Sequence, residues 1–483
     1  MSIGRFGYAL LSKLWYIKEF NPFAAFFIAF CLILFFTISW CYIIAVFSRD
    51  TVKNNKLIPF ALVFMTGPVW VEQFYFLLQA AENALIISLC PYVIYFLFKG
   101  FLDHEKGKIA CAFILLVFMI SVYQAIVPMF CCGVFICFVL LQEHSEYEPQ
   151  IYRNLCLKLF ITLLVSLAVY FFIDRIIIPA VFPIEMSDYL DNQIRWGARS
   201  IRENVHGIFL FGYTLTVGQF TLVQKIVNPI ITRYARSGIE AVESIVRMSS
   251  KVRGNILLLP ATVFFLIKMA LVMCRTIPSG RRLLYMLAGI GIPLCIILLA
   301  VLGGGQPPVR SLYALPLAFA FMLFYLVRIC KKKAAAVVAC LSLLVAVYQA
   351  QISAQLFYSD QLRYNEDVRL AYELNNLITQ VQPEDEKLPV VLIGRYQTAS
   401  RFQANFLQEE VIGHSVFEWA NNSFGTTERG LSFMKSLGIN FDMPDENQIE
   451  QAFKEAALMP SYPAPGCVKR MQDCIVVKIS ETM

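Results

Sequence analysis

Residues Gly67–Asn83 read GPVWVEQFYFLLQAAEN and close an apolar run that begins near Leu57. Where a lipid-facing helix would carry Leu, this one carries Glu72. A carboxylate at bilayer depth is costly unless it faces protein or water, so such a residue marks a functional site by default. At helical spacing Glu72, Phe76, Gln79 and Asn83 form one stripe. Pro68 removes a backbone hydrogen bond just inside the helix and lets it kink. A single buried acid bonded to a neighbouring helix would explain Glu72 alone. The stripe, however, continues to the helix end and into a short polar turn, which favours a functional face. Glu72 is expected on the floor of an outward-open cavity, with Gln79 and Gln124 near it and Trp70 and Tyr75 in its walls.

Composition sets the class. The 483 residues are 58% hydrophobic and only 16% charged, with a mean hydropathy of +0.62. Soluble domains carry about 25% charged residues. Several apolar runs reach the roughly 20 residues needed to cross a bilayer as helix. The reading is an all-α polytopic membrane protein. Its net charge of +7 then reports loop topology rather than nucleic-acid binding. Most of the 14 cysteines lie in or beside apolar runs, where thiols behave as small hydrophobes. No Cys/His spacing suggests a metal site. Cys467 and Cys474, in the polar tail, either close a small hairpin or remain free thiols.

Met1–Phe20 is amphipathic and mildly basic, and Asn21-Pro22 opens a span to Phe47. Further spans are read at Leu57–Gln79, Leu85–Phe98, Leu159–Val181, Ile256–Cys274, Leu283–Leu302, Leu312–Ile329 and Ala334–Tyr348. Ile109–Leu141 is broken by Tyr123-Gln124-Ala125 and Pro128 into two short helices joined by a tight turn. The total is about ten spans. Phe182–Arg253 is a long, charged, aromatic loop in which no window reaches spanning length. The transmembrane domain is thus 1–348 and a soluble domain fills 349–483.

Lys and Arg in short loops set orientation. Arg49–Lys56, Lys99–Lys108, Arg275–Arg282 and Arg328–Lys333 are basic, and strict alternation places them on one side, taken as cytoplasmic. Gln142–Lys158 falls there too, although its acids outnumber its bases. The opposite face then collects Met1–Phe20, the Glu72 end of its helix, the 182–253 loop, Arg310 and the tail. With both termini outside, an additional upstream helix would repair the topology, so the chain is expected to begin late.

The tail reads as a small extracytoplasmic α/β domain without a site of its own. Asp360–Val381 has helical spacing, LPVVLI at Leu388–Ile393 is a buried strand, and Gly394-Arg395 is a turn. Thr426–Leu437 and Glu446–Leu458 are helices, with Thr426 a cap for the first. Val468–Arg470 and Cys474–Ile479 form a closing hairpin.

The outer face gathers acids (Glu72, Glu82, Glu185, Asp188, Asp191), arginines (Arg5, Arg195, Arg199, Arg202, Arg310) and amides (Gln73, Gln79, Gln124). Acids beside arginines at a membrane surface suit chemistry on a lipid phosphate. The guanidinium fork pairs with phosphate oxygens, and a carboxylate takes a proton from an attacking hydroxyl. Glu72 and Glu82 are therefore the catalytic candidates, and Arg5, Gln73, Gln79, Gln124 and Arg310 the substrate-binding ones. Arg310 as a snorkelling anchor and Glu82 as a solvated helix end are the plainer readings.

Gly4-Arg5 before the first span, the Glu72 helix, the Tyr123-Gln124 turn, Arg310-Ser311-Leu312 and the compact outer tail together resemble the glucosyl transferase II family of bacterial polytopic GT-C enzymes. The resemblance covers nearly the whole chain in layout, through short motifs. It implies transfer of a sugar, usually glucose, from a polyprenyl-phosphate donor to a cell-envelope glycan on the outer face, at a multi-pass protein of the cell membrane among membrane lipids. It also implies an acidic pair upstream of Gly-Arg, which a chain starting at Met1 lacks; truncation is the expectation. No cofactor is evident, and a divalent metal stays open. A transporter or flippase of lipid-linked sugars, and a truncated non-catalytic partner in envelope-glycan assembly, are the alternatives. Transporters usually show internal repeats, and none is visible by eye.

Overall fold

The structure is a computed structural model that describes residues 4–15, 22–49, 55–144, 147–181, 194–216, 250–382, 387–403, 405–418 and 426–481. Glu185, Asp188 and Asp191 lie outside them. The chain divides into two compact units, Met1–Ser353 and Ala354–Met483.

The first unit is helical: α1 (Phe6–Trp15), α2 (Pro22–Ser48), α3 (Leu57–Met65), α4 (Val69–Tyr75), α5 (Leu77–Leu102), α6 (Lys106–Val122), α7 (Ile126–His144) and α8 (Pro149–Phe172). A π-helical turn at Ile173–Ile177 and a short helix to Val181 extend α8. After α9 (Ile201–Thr216) come α10 (Leu258–Thr276), α11 (Ser279–Gly303), α12 (Ala314–Ile329) and the long α13 (Lys332–Val381), which runs on into the second unit. Among the described residues seven helices are long and apolar enough to cross a membrane, or eight if the bent pair α3–α4 counts as one span. The sequence expectation of about ten is higher partly because α6 and α12 have only 17 and 16 residues, short of the roughly 20 that span a bilayer.

The Gly67-Pro68 break bends α3 against α4 by 44°. Proline lacks the amide hydrogen that would continue the ladder, and its ring crowds the preceding turn. A second break was not legible: at Phe76 the backbone leaves the helical region (ψ 74°) and α5 begins. The single stripe read through Glu72, Phe76, Gln79 and Asn83 is therefore divided between two helices, and Glu72 does not continue the face of Gln79. The Tyr123–Ala125 turn separates α6 from α7 where the broken apolar run placed it.

Helices cross where small residues let them. Gly133 of α7 sits against Trp40 of α2 and Ile94 of α5; a β-carbon there would lie 2.6 Å from both. Close crossings at small residues are a usual device of membrane bundles, where lipid supplies no hydrophobic drive between helices. The buried Trp40 indole donates to the Ile87 carbonyl at 3.2 Å. The Arg275–Arg282 and Lys99–Lys108 segments each contact the Gln142–Lys158 segment. Arg281 donates to the Tyr152 hydroxyl at 3.1 Å and Lys158 lies over the Phe101 ring.

In the second unit β1 (Val390–Ile393) pairs in parallel with β3 (Ile475–Lys478), and β3 pairs antiparallel with β2 (Val468–Arg470), giving the order β1-β3-β2. Val390 and Leu392 face the C-terminal part of α13 and helix α14 (Thr427–Ser436), while Val391 and Ile393 face α15 (Glu446–Ala456). A strand covered on both faces reads as a continuous apolar run, which LPVVLI is. Asp445 caps α15 in a capping box with Gln448, whereas Thr426, expected to cap α14, makes no side-chain cap bond.

The hairpin register decides the cysteines. Val468 opposes Val477 and Arg470 opposes Ile475, so Cys467 and Cys474 lie at opposite ends of the ladder. A disulfide needs α-carbons within about 7 Å. Both are free, buried thiols; burial pushes Cys474 up to about 11 and raises Cys467.

Candidate functional site

Gly4 has φ 72°, a left-handed conformation that glycine adopts without steric cost. The turn it makes before α1 presents its carbonyl to two donors. Gln124 Nε2 donates to it at 2.9 Å and the Tyr170 hydroxyl at 2.9 Å, and Gln124 also donates to the Tyr170 oxygen at 2.6 Å. Phe6 stacks on the Tyr170 ring. This knot ties α1 to the α6–α7 turn and the end of α8, and it fixes Arg5. The Arg5 Nη1 donates to Gln79 Oε1 at 3.0 Å, and the guanidinium lies 4.6 Å from the centroid of the Tyr123 ring. Three of the expected binding residues, Arg5, Gln79 and Gln124, thus belong to one cluster.

Glu82 stands one turn beyond Gln79 on the same face of α5. It has no exposed surface, and neither of its oxygens has a hydrogen-bond partner among the described residues. Neighbouring Asn83 is also buried, with its amide nitrogen unsatisfied. The Tyr8 hydroxyl of α1 is raised by burial and then by the Glu82 carboxylate, with Arg5 pulling it down. Glu82, Tyr8 and Arg5 accordingly share one electrostatic environment.

The Gly303–Arg310 loop leaves α11 through Gly304, which is left-handed (φ 70°). It ends in the tight turn Val309–Ser311, on which α4 packs. Arg310 lies over the Phe76 ring at 5.2 Å, beside the break between α4 and α5. Tyr313 stacks obliquely between Trp70 and Tyr123 and feels the charges of both Arg5 and Arg310. That shared neighbour joins Arg310 to the Arg5 cluster. Glu72 and Gln73 sit on α4, the helix that packs on this turn. Glu72 has no exposed surface and Gln73 almost none, its Oε1 lacking a partner among the described residues. Glu72 is thus enclosed rather than displayed on an open cavity floor, because the Pro68 bend tucks α4 against the turn that carries Arg310. Trp70 is enclosed with it, donating to the Phe64 carbonyl at 2.7 Å.

The profile of glucosyl transferase GtrII matches residues 1–327. The chain belongs to the glucosyl transferase GtrII family. No curated protein and no solved structure matches it. The family and the long apolar helices together make it a multi-pass membrane glycosyltransferase, a class that requires a sugar donor and a glycan acceptor.

Two further features surround the site of this GtrII-family chain. Arg195 binds the loop, its backbone amide donating to the Gly303 carbonyl at 2.9 Å and its guanidinium lying where a β-carbon on Gly305 would be. Burial holds the Arg195 guanidinium below its ordinary range, and Arg199 lowers it further. Sequence reasoning missed Asp174. It is buried within the π-helical turn, 3.6 Å from the Arg175 Nε, and its charge reaches Tyr170. The signal was present: FFIDRII places an acid inside an apolar run, the same logic that singled out Glu72. Among the described residues no group of three or more His, Cys, Asp or Glu side chains is placed to hold a metal ion.

Proposed function

We propose that this protein transfers a sugar, glucose in our reading, from a polyprenyl-phosphate donor to a cell-envelope glycan. The reaction occurs on the membrane face opposite the basic loops. The observation that carries this reading is the convergence of Arg5, Gln79, Glu82 and Arg310 around Tyr8, Tyr123 and Tyr313 at one end of the helical unit. Glu82 is the proposed base. Its unengaged carboxylate takes the proton of the acceptor hydroxyl, the hydroxyl oxygen bonds to the anomeric carbon, and the carbon–oxygen bond to phosphate breaks. The leaving polyprenyl phosphate keeps that electron pair, and guanidiniums stabilise the charge it gathers. Arg310 and Arg5 are the proposed phosphate contacts, Gln79 and Gln124 hold Arg5 and its turn, and Glu72 with Gln73 supports the Arg310 turn.

The direct test is sugar transfer by membranes containing the full chain, supplied with radiolabelled polyprenyl-phosphate glucose and envelope glycan. Label in the glycan supports the reading. Label that crosses the bilayer while remaining on the lipid would instead identify a flippase. Arg310→Lys keeps the charge and loses the fork, so donor binding is expected to weaken about tenfold. Arg310→Lys and Arg310→Ala both matching the parent in a donor-binding assay would reduce Arg310 to an anchor.

The tail from about Gln349 is proposed to lie on the same side as the Gly303–Arg310 loop, from the loop charges. Protease treatment of intact cells is expected to remove an epitope placed after Met483. Protection until the membrane is broken would reverse the orientation.

A further inference from the structure

Helix α9 follows α8 in the chain and cannot be a span. Its 16 residues reach about 24 Å at 1.5 Å per residue, short of the roughly 30 Å of a bilayer core. A capping box starts it: the Ser200 amide donates to Glu203 Oε2 at 3.0 Å, and the Glu203 amide to Ser200 Oγ at 3.3 Å. One face is buried, through Asn204, Leu210, Phe211, Thr214 and Leu215, and the helix packs on α11. On the opposite face Ile201, Val205 and Phe209 recur every four residues and are 74%, 54% and 66% exposed. Ile194 and Trp196, just before the helix, are exposed as well. Large apolar side chains gathered on one outward ridge mark an interaction surface.

The neighbours of the ridge indicate what covers it. Trp196 Nε1 donates to the Val301 carbonyl at 2.8 Å, and Val301 and Leu302 are exposed at the end of α11, a helix of membrane-crossing length. The ridge thus continues the apolar exterior of a span. Residues 194–216 hold three arginines against one glutamate, and Arg199 and Arg202 are exposed beside the ridge. An apolar ridge, a tryptophan and flanking arginines make a helix that lies in the plane of a membrane interface. The other side of the segment grips the Gly303–Arg310 loop. Besides the Arg195 contacts, Asn204 Nδ2 donates to the Arg195 carbonyl at 3.4 Å. A β-carbon on Gly304 would meet Asn204 and Trp196 at 3.1 and 3.3 Å, and one on Gly207 would lie 3.4 Å from the Gly305 α-carbon.

We infer that residues 194–209 form an interfacial element whose partner is the bilayer surface. Ile194, Trp196, Ile201, Val205 and Phe209 enter the boundary between headgroups and acyl chains, and Arg199 and Arg202 keep their charged heads at its water side. Bound to the membrane on one face and to the loop on the other, the element holds the Gly303–Arg310 loop at headgroup depth. The inference needs neither sugar transfer nor an assigned orientation.

The test uses the full chain reconstituted in phosphatidylcholine–phosphatidylglycerol vesicles, as Phe209→Trp and separately as Val205→Trp. The fluorescence each gains over the parent reports the new indole. Phospholipids brominated near the headgroup end of the acyl chain are expected to quench most of that gain. Those brominated near the methyl end, and aqueous iodide, are expected to quench little of it. Quenching by iodide alone would put the ridge in water, and quenching by none of the three would put it under protein. Stronger quenching by the deep bromines would sink the helix into the bilayer core. Each of these results overturns the inference. The holding role is read by hydrogen exchange at the Gly305 amide, which donates to the Ala300 carbonyl at 3.0 Å. Val205→Gln combined with Phe209→Gln is expected to speed that exchange about tenfold or more in vesicles, with exchange in α12 as in the parent. Exchange at Gly305 equal to the parent would overturn the holding role. A chain that meets these expectations and transfers no sugar would overturn only the transfer reading.

Discussion

Glu82→Gln is expected to lower sugar transfer by about a hundredfold or more, the usual share of a positioned general base, while leaving the protein as stable as the parent or more so. The two halves of this expectation have one cause. Glu82 is fully enclosed, and neither oxygen has a hydrogen-bond partner among the described residues. Burying an ionisable group without such partners is costly, and a carboxamide of the same shape carries less of that cost. A residue kept for structure would behave in the opposite way, losing stability when changed. Transfer assays and melting curves on the same preparation separate the two. Wild-type turnover in Glu82→Gln would remove it as the base. A parallel Glu72→Gln variant is expected to show the smaller loss, since Glu72 lies on α4, which packs on the Arg310 turn, whereas Glu82 shares the Tyr8 environment with Arg5.

Arg328→Ala is expected to destabilise the helical unit by about 3–5 kcal/mol, the cost of leaving one member of a buried ion pair behind. Glu143 Oε2 lies 2.6 Å from the Arg328 Nη1, with the two side chains 6% and 8% exposed. The other carboxylate oxygen accepts from the Tyr285 and Tyr325 hydroxyls at 2.6 and 2.7 Å, and His144 also bonds Arg328. Removing the guanidinium strands a carboxylate that cannot regain water. Adding Glu143→Gln to Arg328→Ala is expected to restore much of the loss, because the stranded charge is then gone. Thermal unfolding in detergent across the four members of this cycle gives the coupling directly. A double variant as unstable as the sum of the singles would show that the pair contributes by packing alone.

The local elements were legible in the sequence. Hydropathy and helical period are properties of neighbours along the chain, so the spans read at Pro22–Phe47, Ile256–Cys274 and Leu283–Leu302 emerge within a few residues of their observed ends. Pro68 and the Tyr123-Gln124-Ala125 turn announce breaks because a missing amide hydrogen or a polar interruption acts where it stands. In the tail, LPVVLI declares a strand buried on both faces because burial on both sides removes the alternation of apolar and polar residues.

The tertiary structure decided what depends on distance through space. Nothing near Phe76 in the sequence marks the change of backbone that divides Glu72 from Gln79, since it is imposed where α4 packs on the Val309–Ser311 turn. Arg5 and Gln79, 74 residues apart, meet because Tyr170 and Gln124 hold Gly4, and those partners come from yet other helices. The sequence also left the bonding of Cys467 and Cys474 open, and the strand register closed it by placing them at opposite ends of one ladder. Chemistry-bearing residue types can be read from a chain because each type carries its own solvation cost. Which of them share a site is set by helix crossings and loop paths, where many weak long-range contacts sum and no local pattern records the result.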